Sequence, residues 1–170
     1  AEIETRRQAW QIYVFLKENI PGFEKSIFLM SGTQIGIRES RRVMGEYVLT
    51  ADDLIKTTKF DDSIARGSYP LDIHDPTSGN IITKEIPAGE YYTIPYRSLI
   101  PKNMKNLLVA GRPISSTHEA HSAHRIMPIC TSIGEGAGTA ISIALKSDLT
   151  VNEVSVKKIQ KLLDRYGALY

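Results

Sequence analysis

The chain has 170 residues, 42% hydrophobic and 24% charged, with a formal net charge of +2. That length supports one substantial core, and the near-neutral balance without a long basic stripe argues against nucleic-acid binding. A single cysteine, Cys130, excludes an internal disulfide framework and leaves the compartment undecided, while no apolar run approaches the roughly 20 residues that span a bilayer.

Ile3 to Ile20 reads as an amphipathic helix, with Ala9, Tyr13, Leu16 and Ile20 near one face, widened by Trp10 and Val14. Pro21-Gly22 ends it. Ser26 to Ser31 (SIFLMS) is a short apolar run expected to form a buried strand. Gln34 to Thr50 reads as two strand-like pieces around Arg38, Arg41 and Arg42. Thr50-Ala51-Asp52-Asp53 fits a capping box that opens a short helix.

Residues 60–90 read as surface structure. Asp61-Asp62 and Gly67 are expected in loops, Tyr69 to Ile73 in a short strand, His74 to Asn80 in a turn, and Ile81 to Ile86 in a returning hairpin arm. Tyr91 to Pro101 mixes aromatic residues with two prolines, which suits an edge strand or extended segment.

The stretch from Asn106 to Leu145 organises the rest. Leu107 to Ala110 has the length and bulk of a buried parallel strand, stopped by Gly111. A polar loop with His118, His121, His124 and Arg125 is expected next, then a helix whose start holds Gly134, Gly136 and Gly138. A strand, a polar loop and a glycine-rich helix start would bring backbone N–H groups to a ligand. Gly136, Ala137, Ala140 and Ala144 would also let the helix lie tightly on a sheet. At the end of the chain, Thr150 to Glu153 offers a second capping pattern. Val156, Ile159, Leu163 and Tyr166 then share a helical face, and Gly167 stands ready to end the helix.

Several of these features carry two readings. The glycines serve either a cofactor or close helix–sheet packing alone. The spacing of three between the histidines permits a metal site, but only Glu119 stands by as a further ligand, and no metal is expected. Arg38, Arg41 and Arg42 form either a pocket wall or a solvated face paired with Glu39 and Glu46. Cys130 reads as a small buried filler. Tyr92 and Tyr96 fit either the core or a substrate contact.

Three separated motifs, in order, point to a family. GIRESRRVMGEYVLTADDL (Gly36 to Leu54), the run from Tyr91 to Pro128, and TSIGEGAGTAISIAL (Thr131 to Leu145) resemble the C-terminal part of FAD-dependent oxidoreductases. These belong to the glutathione-reductase and succinate-dehydrogenase-like group of flavoproteins, some of whose relatives carry a xanthan lyase label. The resemblance runs from about Gln34 to the C-terminus. It implies an α/β fold with α+β character: a C-terminal fragment of an FAD/NAD(P)-binding Rossmann-like domain plus part of a β-rich substrate domain.

In that scheme residues 1–33 supply a helix and strand, 34–100 a β-rich substrate portion, 101–147 the second FAD-contacting segment and 148–170 the last helix. The G-x-G-x-x-G turn that holds the FAD pyrophosphate does not occur near the N-terminus. The expectation is therefore a fragment whose partner is the N-terminal half of the same protein, and which alone binds FAD weakly or not at all.

The resemblance also assigns roles. Gly111, Arg112, Thr131, Ser132, Ile133, Gly134, Glu135 and Gly136 would face FAD. His118, His121 and Arg125 would act on the substrate side as acid–base groups and fixed charge. Arg38, Arg42 and Tyr96 would help bind a small-molecule substrate. A polysaccharide-lyase type of carbohydrate-active protein and a non-catalytic module are the rival readings.

Overall fold

The computed structural model describes residues 1–74 and 81–170. The chain forms two compact units, Ala1–Arg38 and Glu39–Tyr170. Among the described residues no helix is long and apolar enough to cross a membrane.

The first unit is one helix with an extended segment folded back along it. Helix α1 (Glu2–Asn19) has the expected span, and Ala9, Tyr13, Val14 and Leu16 of the expected face are half-buried. Gly22 takes φ +96° in the turn that follows, a conformation glycine adopts without Cβ strain. The returning segment is held by a trio of rings, Trp10, Tyr13 and Phe28, with centroids 5.2–5.9 Å apart. Arg6 reinforces it by donating to Ser31 Oγ at 2.7 Å and Thr33 O at 3.0 Å. The buried strand expected at Ser26 to Ser31 does not form, and Ile27, Leu29 and Met30 are exposed. Its only neighbour within this unit is a helix, whose backbone groups are already paired, so no ladder is on offer.

The second unit holds the core. Helix α2 (Ala51–Ile55) starts with the expected box, the Thr50 N–H donating to Asp53 Oδ2 at 2.9 Å and the Asp53 N–H to Thr50 Oγ1 at 3.2 Å. Strand β1 (Ser63–Gly67) pairs antiparallel with β4 (Tyr92–Pro95), and β2 (Leu71–His74) with β3 (Ile81–Lys84). The hairpin expected over Tyr69 to Ile86 is therefore present, while its turn, Asp75 to Asn80, lies outside the described residues.

Residues 60–90 are not all surface. Strand β1 lies in the core, with Ile64 and Ala65 fully buried, and Gly67 is its last residue rather than part of a loop. A Cβ there would run into Ile129 Cδ1 and the Tyr92 hydroxyl, which is why the strand can end in glycine against a packed helix. The two strand-like pieces expected between Gln34 and Thr50 reduce to isolated bridges, Gly45 to Pro101 and Leu49 to Ser116.

Helix α4 (Met127–Ser147) lies across β1 through Ile129, Ile133, Gly136, Ala137, Ala140 and Ala144, the small-residue face read from the sequence. The closest approach is at Gly136, where an added Cβ would stand 2.8 Å from Ile64 Cδ1 and 2.9 Å from Ile64 O. Helix α5 (Val156–Arg165) packs on α4 through Ile159 and Leu163. Gly167 ends α5 at φ +72°, with Ala168 N–H donating to Leu163 O and Gly167 N–H to Asp164 O, a Schellman pattern. Tyr166, expected on the buried face, is exposed because the helix stops one residue earlier.

Candidate functional site

Leu107 to Ala110 is not a strand. Asn103 and Asn106 turn the chain at positive φ, and among the described residues the segment's one backbone bond to its surroundings runs from Val109 N–H to Leu99 O at 2.9 Å. A parallel strand needs a neighbour on the sheet, and among the described residues none pairs with it. Gly111 at φ +82° then turns the chain toward Ile114, Ser115 and Ser116, which are buried. Leu49 N–H donates to Ser115 O at 3.0 Å and Thr117 N–H to Leu49 O at 2.8 Å, so the segment after Gly111 is stitched to the one after Arg42.

The histidines lie on a helix, not in a loop. Thr117 caps α3 (His118–His124), its hydroxyl accepting from the Ala120 N–H at 3.3 Å. A spacing of three advances about 300° per step on an α-helix, so the three rings fan across the face instead of sharing it. His118 keeps about half its side chain in solvent, whereas His121 and His124 are 1% and 0% exposed. The two buried rings meet edge to face with centroids 5.4 Å apart.

Glu39 joins the exposed ring to the buried one. His118 Nδ1 lies 2.9 Å from Glu39 Oε2, and His121 Nδ1 lies 3.5 Å from the same oxygen, short of hydrogen-bond geometry. Arg42 closes the group, pairing with Glu39 Oε1 and donating through Nε to Ser116 O at 2.9 Å. His124 Nε2 sits 2.9 Å from Ser116 Oγ, and its Nδ1 is buried without a partner.

Burial is the main reason both inner rings stay neutral. It pushes the His121 pKa down to about 4, helped by Arg42, Arg125, His118 and Arg112, and that of His124 down to about 3, helped by His121. Among the described residues no group of three or more histidine, cysteine or acidic side chains forms a metal cradle.

The glycines are not at the helix start. Helix α4 begins at Met127 with Pro128 in its first turn, a position that proline suits. Cys130 N–H already donates to Ile126 O, so the backbone N–H groups of 131–136 belong to the helix ladder and cannot reach a ligand. The free donors are those of Met127 and Ile129. A cleft of about 430 Å³ opens beside them, bounded by Arg66, Tyr69, Tyr91, Ile126, Pro128 and Ser132. It contains none of the histidines.

The three glycines also differ in kind. Gly136 is buried on Ile64, while Gly134 and Gly138 are exposed and a Cβ on either would meet nothing within 4 Å. Thr131 and Glu135 share that open side, Ser132 is half-buried and Ile133 fully buried. Cys130 is half-buried, its thiol 3.5 Å from His124 O and its pKa raised by burial.

Of the residues read from the sequence, the structure brings together His118, His121 and Arg42, all around Glu39. Tyr96 stands apart from them, 2% exposed, with its hydroxyl donating to Val151 O at 2.8 Å. Tyr92 is likewise in the core. Arg38 closes the first unit and is described with it. Glu39 reads from the sequence only as a partner of the arginines on a solvated face. Its signal was an acid set among three arginines in Arg38-Glu39-Ser40-Arg41-Arg42.

The family model described as FAD dependent oxidoreductase matches residues 1–163, and the chain belongs to that family. No curated protein and no solved structure matches it.

Proposed function

We propose that these residues supply the flavin-facing and substrate-side portion of an FAD-dependent oxidoreductase acting on an anionic small molecule. In this reading the Rossmann-like fold and the pyrophosphate grip are completed by residues outside this sequence. The observation that carries the proposal is the open face of α4 at Gly134 and Gly138. Glycine in a helix interior costs about 1 kcal/mol relative to alanine, and at these two positions no neighbour within 4 Å demands it. A flat ring system lying over these two positions does demand it, because a Cβ at either one would hold the ring away.

FAD, when bound, supplies the two-electron oxidation. Thr131, Gly134 and Glu135 line its approach from α4, with Ser132, Ile133 and Gly136 forming the supporting turns. The positive end of the helix dipole, with the free N–H groups of Met127 and Ile129, favours negative charge nearby. Gly111 turns the chain at φ +82°, and the Arg112 guanidinium beside it can pair with phosphate in bidentate fashion. On the substrate side His118 presents its ring to solvent as the acid–base group, while Arg42 and Arg125 supply fixed positive charge. His121 is too buried to meet substrate and lies behind the pair, its Nδ1 3.5 Å from Glu39 Oε2. Arg38 is kept as a candidate substrate contact; Tyr96 is not.

The test is flavin retention by the full-length gene product carrying Gly134→Val. Loss of the visible flavin bands after desalting, with the fold intact by circular dichroism, supports the reading. A variant that keeps its flavin overturns it.

A further inference from the structure

We propose that Glu39 is the positioning residue of this site, fixing His118 in the tautomer whose free Nε2 faces the substrate. The inference rests on the reading of His118 as the acid–base group and adds which atom takes the proton. A neutral imidazole carries one N–H, and whichever nitrogen points at a carboxylate holds it. His118 Nδ1 lies 2.9 Å from Glu39 Oε2 and 3.1 Å from Oε1, so the proton belongs on Nδ1 and the lone pair on Nε2.

Glu39 can do this because it is itself fixed. Arg42 grips its Oε1 and is anchored in turn on the carbonyl of Ser116, two residues before His118. Carboxylate, arginine and imidazole therefore form one rigid assembly spanning two chain segments. Only about a quarter of the Glu39 side chain is in solvent, against half of His118, so the carboxylate sits behind the ring and not beside the substrate. A proton accepted at Nε2 makes the ring an imidazolium, whose charge then faces Glu39 through the Nδ1–H. His121 Nδ1, buried without a partner 3.5 Å from the same carboxylate, is the nearest group that a small shift of Glu39 would satisfy.

The experiment is long-range ¹H–¹⁵N correlation on the ¹⁵N-histidine-labelled chain, at a pH where the rings are neutral, with His118 assigned through His118→Gln. The expected result is the Nδ1–H form for His118. Glu39→Gln, which keeps an acceptor oxygen, retains that form, and Glu39→Ala returns His118 to the Nε2–H form that an unpaired histidine side chain prefers. An Nε2–H form in the unsubstituted protein overturns the assignment without recourse to any variant. So does an Nδ1–H form that survives Glu39→Ala. Failure of the flavoprotein reading would show in the flavin spectrum and leave this measurement untouched.

Discussion

Acidification should unfold this protein through two histidines that never meet solvent. His121 and His124 are held neutral inside the fold, at pKa values of about 4 and about 3 against an ordinary 6.5. Their folded values are depressed, so below about pH 6.5 the unfolded chain binds protons that the folded chain refuses. The stability they confer is complete above that pH and is lost as the pH falls toward the folded values. At about pH 5 the unfolded chain has gained about 1.5 pH units of protonation at each site while the folded chain has gained almost none. At about 1.36 kcal/mol per unit, that is about 2 kcal/mol for each ring and about 4 for the pair. Against a typical total of about 5–15 kcal/mol, the loss is large.

Urea melts at about pH 7.5 and about pH 5 measure it directly. The carboxylates with lowered values, Glu4, Glu24, Asp52, Glu119 and Glu153, lose their contribution mainly at lower pH than this window. His124→Phe keeps a ring in the cavity and should halve the pH dependence, whatever it costs at pH 7.5. Equal stability at the two pH values would refute the argument that burial keeps these rings neutral.

Three further outcomes follow from the packing. Gly136→Ala drives a Cβ to 2.8 Å from Ile64 and should destabilise by about 1–3 kcal/mol, whereas Gly134→Ala and Gly138→Ala open onto space and should each stabilise by about 1 kcal/mol in thermal melts. The same sign at all three positions would contradict the split between packing and open glycines. Tyr96→Phe removes the hydrogen bond to Val151 O and should cost about 1 kcal/mol of stability while leaving flavin retention by the full-length protein unchanged. Weakened flavin retention would restore Tyr96 to the site. Thr50→Ala breaks the capping box of α2 and should lower stability by about 1 kcal/mol, with no effect on the His118 tautomer.

The local signals were the legible ones. Both capping boxes, the Gly167 stop, the hairpin around 71–84 and the small-residue face of α4 follow from a few adjacent residues, and each is present. The strands at 26–31 and 107–110 are absent, because an apolar run reports burial while a strand also needs a partner that its own residues do not specify. The histidines read as a loop because three polar rings at a spacing of three look unlike one helical stripe; Thr117 was the overlooked cap. Gly134, Gly136 and Gly138 look alike in sequence, and only the position of Ile64 tells the packing glycine from the open ones. Glu39 escaped notice because its histidine partner lies 79 positions away, and nothing in a local pattern joins them.

The most direct test of the central claim is the visible absorption spectrum of the full-length gene product, purified, reconstituted with FAD and desalted. Flavin bands that persist at one FAD per chain are the expected result. A colourless protein that releases all added FAD would contradict the flavoprotein account and leave the glycine face of α4 to some other partner.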